Sequence, residues 1–445
     1  MSCEEMPGFI TKILRHSFLR STLIYTLGDT LSKAVPFLLL PIVAKYLTPS
    51  DFGTLTNFSV AVQVFTAICG MNTYTALTIN YHGLKDGVAG YLSNLIYLIL
   101  FLGVACLLMV GLFSFPISEY LGITLLWQVL AIITAVSTCI YTLYTSLLRI
   151  QERVYTFNVA QVLQSLLTGG LAILFVVFLQ WNWQGRALSM IVSGVVVTLL
   201  IMWHLKKSSY IFSSIDMKEV RSAFSFGLPL LPHTLSFWFK SGIDKIIITN
   251  YISIAANGIY ALALTFSAVI GVFTGAFFNA YAPHLYKDLL SIEQSEPSEK
   301  NRLKRKLVRI TYLFSAALSL VALSGYFLLK LLIPLFFPAA YQESMVFLPM
   351  TMATLFFDGM YSIMSGYIFY KRKTKLLGII TFSSSVLQMA LTFLLVQHIG
   401  IMGAAYSSLL VSVLTFIAVF IFANKLYDLP WGLKHAEKLQ PLPPK

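Results

Sequence analysis

The chain has 445 residues, of which 57% are hydrophobic and only 11% charged, with a mean hydropathy of +0.78. Ordinary soluble domains carry roughly a quarter charged residues, so a water-soluble fold of this length is excluded. The formal net charge of +13 raises the question of a nucleic-acid partner, and the placement of the basic residues answers it.

Apolar segments of about 17–25 residues or more, enough to cross a hydrocarbon core, are predicted near 18–43, 52–80, 88–113, 121–147, 154–179 and 185–205. A second set follows near 222–250, 254–282, 309–333, 343–370, 376–397 and 400–424. The expected fold is therefore an all-α integral membrane protein of twelve transmembrane helices in two six-helix lobes. Residues 1–17 form an N-terminal tail, 18–205 the N-lobe, 206–221 an inter-lobe linker, 222–424 the C-lobe and 425–445 a C-terminal tail. The first span is too long and too polar for a cleavable signal.

Lys45, Arg186 and Lys330 fall at one end of the spans, and Lys33, Lys240 and Lys245 within them; every other Lys and Arg falls at the opposite end. Basic loops stay in the cytoplasm, which predicts cytoplasmic termini and an even number of spans. The charge serves topology and calls for no nucleic acid. The cluster Lys300–Lys306 reads chiefly as a topology anchor, with contact to anionic headgroups as the alternative. Cys3, Cys69, Cys106 and Cys139 form no CxxC pair and read as small apolar residues, not as a disulfide or metal framework.

Charges persist at membrane depth only where they are paired or meet water. Asp29 and Lys33 lie in the first span, Lys240, Asp244 and Lys245 in the seventh, and Asp358 in the tenth. Helical spacing puts Thr22, Thr26, Asp29 and Lys33 on one face, His233, Ser236, Lys240 and Asp244 on another, and Thr351, Thr354, Asp358, Ser362 and Ser365 on a third. Weaker stripes follow on the fourth span (Thr134, Thr138, Tyr141, Thr145) and the eleventh (Thr381, Ser384, Gln388, Thr392). Such stripes predict helices around a common hydrophilic space. Asp29–Lys33 and Lys240–Asp244 are i,i+4 pairs, which leaves Lys245 and Asp358 to meet across it. On this reading Lys33, Lys240, Lys245 and His233 contact an anionic substrate, and Asp29, Asp244 and Asp358 bind a coupling proton or sodium ion. A purely structural ion-pair network is the competing reading. Aromatic rings crowd the seventh and eighth spans, as sugar-stacking surfaces or as bilayer-facing bulk.

Pro36 and Pro41 interrupt the first span, and Pro229 and Pro232 the seventh. Proline removes a backbone donor and bends a helix, so these positions are candidate hinges. Tyr46–Gly53 can be laid over Tyr251–Gly258 at an offset of 205 residues without a gap. Six spans per half give both halves one orientation and a parallel repeat. There is no Gly-Lys dipeptide and hence no P-loop, and no segment is large enough for a soluble catalytic domain. No enzyme activity and no cofactor are expected.

Three stretches now acquire a common meaning: Phe224-Ser-Phe-Gly-Leu-Pro-Leu-Leu-Pro-His233, Gly242-Ile-Asp-Lys-Ile-Ile-Ile248 and Asn257-Gly-Ile-Tyr-Ala-Leu-Ala263. With Phe277–His284, Tyr46–Gly53 and Gly400–Ala405, they resemble the bacterial O-antigen and polysaccharide flippases of the multidrug/oligosaccharidyl-lipid/polysaccharide exporter superfamily. The resemblance implies a MATE-like pair of lobes around a central cavity. It implies cargo of undecaprenyl-diphosphate-linked glycan, moved across the bacterial inner membrane, with a glycan polymerase and a chain-length regulator as possible partners. Asp244 and Lys245 match the acidic–basic step of the family's seventh helix; Asp29, Lys33, Lys240 and Asp358 match no motif. The rival expectations are a drug–cation exporter of the same superfamily and a non-transporting polymerase or assembly scaffold.

Overall fold

The computed structural model describes residues 17–84, 87–210, 215–371 and 373–431. The tails 1–16 and 432–445, and parts of the 206–221 linker, lie outside the described residues, as do the side chains of Asp29, Lys33 and His233. The described residues contain helices and turns but no strand.

The chain forms two compact units, Met1–Trp238 with Ser253–Gly258 and Phe239–Ile252 with Ile259–Lys445. The division between these units falls inside the seventh segment. The reason is local: the helix that opens this segment docks on the first unit, where Glu219 accepts a 2.6 Å hydrogen bond from Asn94.

Unit 1 contains α1 (Ser17–Ala44), α2 (Pro49–Gly70), α3 (Thr73–Asn80), α4 (Val88–Leu121), α5 (Leu125–Ile150), α6 (Val154–Ala172), α7 (Asn182–Lys207) and α8 (Met217–Gly227). α1 packs on α6, α2 on α4 and α5, and α7 on α5 and α6. α6 continues into a π turn, Ile173–Phe178, before α7 begins. The start of α2 follows from sequence: Thr48 and Asp51 form a capping box and Pro49 occupies the first turn.

A 3₁₀ turn, Leu228–Leu230, joins α8 to α9 (Leu231–Tyr251), which runs on into unit 2. α10 (Ile254–Gln294) starts in unit 1 and continues in unit 2, followed by α11 (Pro297–Phe336), α12 (Leu348–Tyr370), α13 (Thr374–Ile399) and α14 (Ile401–Tyr427). α12 and α13 both pack along α14. α10 and α11 extend past their apolar stretches, and there Lys306 pairs with Asp288 at 2.7 Å. Nearby, the Lys371 ammonium 2.6 Å from Glu293 holds that carboxyl below the usual carboxylate range.

Twelve long helical segments thus succeed one another where twelve spans are expected. Among the described residues nine of these helices are long and apolar enough to cross a bilayer, or ten with the bent pair Ala339–Val346 and Leu348–Tyr370. α9 fails that measure because Lys240, Asp244 and Lys245 crowd its 21 residues. The protein is a multi-pass, all-helical membrane protein. The proline positions divide: Pro36 and Pro41 lie inside α1, whereas Pro229 sits in the 3₁₀ turn that ends α8.

The internal repeat leaves a physical mark in unit 1, where the starts of α2 and α10 cross. A Cβ on Gly53 would lie 1.9 Å from the Ile254 carbonyl oxygen, and one on Gly258 2.0 Å from that of Pro49. The offset of 205 relates both Pro49 to Ile254 and Gly53 to Gly258, so each glycine meets the other's counterpart. Asn257 Nδ2 donates to Asn57 Oδ1 at 2.8 Å, and Asn57 Nδ2 to the Leu121 carbonyl at 2.9 Å. Both obstacles are backbone atoms that cannot swing away. Gly53→Ala or Gly258→Ala should therefore cost about 1–3 kcal/mol through overpacking. Gly111→Ala, with open space around it, should cost nothing in thermal unfolding of the purified protein.

Candidate functional site: a polar seam at membrane depth

The described charges at membrane depth gather in unit 2, and their pairing differs from the sequence expectation. Lys240 Nζ lies 2.6 Å from Asp358 Oδ1, linking α9 to α12. The i,i+4 pair Lys240–Asp244 is not made. Helical side chains lean toward the N-terminus, so a lysine placed before its acid points away from it, the less favourable order of such pairs. Asp244 instead accepts from the Lys245 backbone N–H at 2.9 Å, while Lys245 Nζ stands 3.5 Å away and donates to the Ser241 carbonyl. The expected meeting of Lys245 with Asp358 is likewise absent, because Lys240 already holds that carboxylate.

The two acids sit in different surroundings. The Lys240 and Asp358 side chains are 26% and 31% exposed, whereas Asp244 is 4% exposed. Beside Asp244 stand the Tyr260 hydroxyl of α10 and, next to that hydroxyl, Ser408 of α14. The Tyr260 hydroxyl, Gln388 Oε1 and Ser412 Oγ are buried without a hydrogen bond of ordinary geometry. Ser408 accepts from Gln388 Nε2 at 2.9 Å. Asp244 thus sits in a dry part of unit 2 beside the Lys245 ammonium and the Tyr260 hydroxyl.

Other members of the predicted stripes have structural partners. Thr351 shares a 2.7 Å hydrogen bond with Ser267 of α10. Ser236, Thr354 and Ser362 donate to carbonyls four residues back, on Pro232, Met350 and Asp358. The stripe on α5 does the same, Thr134, Thr138 and Thr145 bonding Leu130, Thr134 and Tyr141. Gln388 and Thr392 face no water at all: both are fully buried against α14. The rings of α10 also find protein partners, with Phe273 and Phe277 packing on Phe314 of α11.

One stripe escaped the sequence reading. Asn158, Gln161, Gln164 and Thr168 recur at helical spacing along α6, without a charge to draw attention. Gln164 Nε2 lies 3.4 Å from Thr168 Oγ1 and 3.3 Å from Ser193 Oγ, and the two hydroxyls share a 2.7 Å bond. Unit 2 repeats this clamp atom for atom. Gln388 Nε2 lies 3.2 Å from Thr392 Oγ1 and 3.5 Å from Ser407 Oγ, whose hydroxyls again share a 2.7 Å bond. Gln-x-x-x-Thr at 164–168 and 388–392 is the signal that could have found it.

Comparison with known proteins now places the chain. A model of the family described as polysaccharide biosynthesis protein matches residues 18–288, more than half the chain. The chain belongs to that family. It is 26% identical over 376 residues to an uncharacterized membrane protein of Haemophilus influenzae, covering 81% of this chain and 85% of that one. It is also 22% identical over 410 residues to a protein named for the Lsg locus of the same organism, covering 89% and 97%. Among solved structures it resembles an inward-facing multidrug resistance MATE family transporter of the MOP superfamily. That likeness has a TM-score of 0.65 at 16% identity, over 92% of this chain and 95% of the other. A MATE structure in complex with MaD3S aligns with a TM-score of 0.62 at 16% identity, over 92% and 96%. The fold is that of MATE transporters.

The pairing generates a test. Lys240→Ala strands the Asp358 carboxylate, and the expected loss is about 1–3 kcal/mol, between the values of exposed and buried ion pairs. Lys240→Ala/Asp358→Ala should recover most of the lost thermal stability, whereas Lys240→Ala/Asp244→Ala should not.

Proposed function

We propose that this protein flips a polyprenyl-diphosphate-linked oligosaccharide across the bacterial inner membrane, from the cytoplasmic to the periplasmic leaflet. The observation that carries the proposal is the Lys240–Asp358 pair. An ion pair about a quarter to a third exposed at membrane depth, in a helix too polar to face lipid, calls for an aqueous volume inside the protein. A polysaccharide-family chain with a transporter fold has an evident use for such a volume: the passage of a sugar head group while the polyprenyl tail stays in the bilayer.

In this mechanism Lys240 and Lys245 meet the diphosphate, joined by Lys33 and His233, and each lysine exchanges a carboxylate for a substrate phosphate as the cargo enters. Exchange keeps each lysine paired, since an unpaired lysine would be expensive, and the coupling ion neutralises the carboxylate that is released. Asp244, dry and beside the Tyr260 hydroxyl, takes up the coupling proton or sodium ion, with Asp29 and Asp358 assisting. Pro36, Pro41, Pro229 and Pro232 supply bending points. Both termini lie in the cytoplasm, and a glycan polymerase and chain-length regulator receive the product. The protein performs no covalent chemistry.

A cationic drug would be a poorer cargo, since Asp358 already carries a lysine and would have to give it up. A polymerase or scaffold role has no use for a charge pair held open to water at this depth.

The test is complementation of a flippase-null strain supplied with the matching repeat-unit pathway. The chain should restore surface polysaccharide, and Asp244→Asn should lower it at least tenfold with the protein still inserted in the membrane. No restoration by the unaltered chain contradicts the proposal.

A further inference from the structure

Arg186 is a cation that the charged seam of unit 2 does not involve. It lies one turn inside α7, at the end of unit 1 where α1 finishes, α2 begins and α6 passes into its π turn. Its guanidinium donates to Ser189 Oγ at 2.9 Å, and that hydroxyl donates back to the Arg186 carbonyl at 2.7 Å. Among the described residues no carboxylate pairs with it. A guanidinium offers five N–H donors, so most of this one's capacity is unused.

Arg186 lines a pocket of about 410 Å³, open mouth included, otherwise walled by apolar side chains of α1 and α2 such as Pro36, Leu40, Val43 and Phe52, with Thr168 of α6. Arginine stays protonated in proteins. A cation facing apolar walls without a counter-charge is poorly solvated, and an anion in the pocket would supply the missing partner. A structural role as part of the Gln–Thr–Ser clamp does not account for it. Counting seven residues back from Ser193 and Ser407 sets Gly400 opposite Arg186 in sequence, and the clamp in unit 2 is complete without a cation.

Depth narrows the chemistry. Arg186 stands four residues, about 6 Å, from the start of its helix, next to Trp181 and Trp183, residues that favour the membrane–water interface. The pocket follows α1 from Val43 to Pro36, roughly 10 Å at 1.5 Å per residue, into apolar surroundings. An anion at the interface with an apolar continuation is an amphiphile, and the planar guanidinium fork matches phosphate. We infer that the Arg186 pocket binds the phosphate of a phosphorylated lipid, with the first part of its chain lying along α1. This site belongs to unit 1, whereas the ion-paired lysines belong to unit 2, and the inference does not depend on which cargo is transported.

The experiment measures equilibrium binding to the purified full-length protein in detergent with three probes: geranylgeranyl diphosphate, geranylgeraniol and inorganic pyrophosphate. All are measured in a Lys240→Ala/Asp358→Ala/Lys245→Ala background that removes the unit 2 lysines assigned to the cargo diphosphate. In that background the protein with Arg186 should bind the prenyl diphosphate at least tenfold more tightly than R186Q, with R186K between them. Geranylgeraniol should not distinguish the variants, and pyrophosphate should bind at least tenfold more weakly than the prenyl diphosphate. Leu40→Trp fills the pocket without touching the charge and should also weaken binding tenfold; it decides the matter if R186Q is not monodisperse on size exclusion. Unchanged affinity in R186Q, or in Leu40→Trp where R186Q fails to fold, overturns the inference, and so does equal affinity for pyrophosphate and the prenyl diphosphate. Binding is read without transport, so a negative result here leaves the complementation outcome to stand by itself.

Discussion

Hydrocarbon offers no hydrogen-bond partner, and every polar group placed at membrane depth has to find one inside the protein. That constraint arranges most of what is polar here. Threonine and serine hydroxyls turn back on carbonyls one helical turn away, as Thr134, Thr354 and Ser362 do. Glutamines, which need more partners than their own helix provides, reach across to α7 or α14 and define where those helices meet. Lys240 and Asp358 satisfy each other across two helices. One of the exceptions bears on function: the buried Tyr260 hydroxyl stands beside Asp244.

The two units solve the same packing problem in the same way and then diverge. Each uses a Gln-x-x-x-Thr step and a facing serine, which fasten α6 to α7 in unit 1 and α13 to α14 in unit 2. The described acid–base charges at membrane depth nonetheless belong to unit 2, on α9 and α12, while unit 1 contributes Arg186 near its apolar pocket. A duplicated scaffold supplies the walls, and the residues that do not repeat give each half its own chemistry.

Much of this was legible in the sequence. Hydropathy located the long helices, because an apolar run of twenty residues has few other uses, and the charge placement singled out α9 and α12. The offset of 205 residues identified Gly53 and Gly258, and the close crossing gives the reason both are glycine. Pairing was not legible. Periodicity tells which residues share a face of one helix, but not what the neighbouring helix brings to that face, so Lys240 was assigned to Asp244 when Asp358 was its partner. The α6 stripe was missed because amides and hydroxyls look like ordinary helix contacts until Gln164–Thr168 is laid beside Gln388–Thr392.

Ion-driven movement of a lipid-linked glycan past the charges of α9 and α12 is measured most directly as flipping in proteoliposomes that contain the purified protein and a fluorescently labelled polyprenyl-diphosphate oligosaccharide. The fraction of label open to a membrane-impermeant quencher is followed with and without a proton or sodium gradient. The account predicts that a gradient of one of these ions drives the labelled lipid toward one leaflet, faster than in protein-free vesicles, and that Asp244→Asn abolishes the bias. Movement no faster than in protein-free vesicles, or a leaflet bias that persists with both gradients absent, would contradict it.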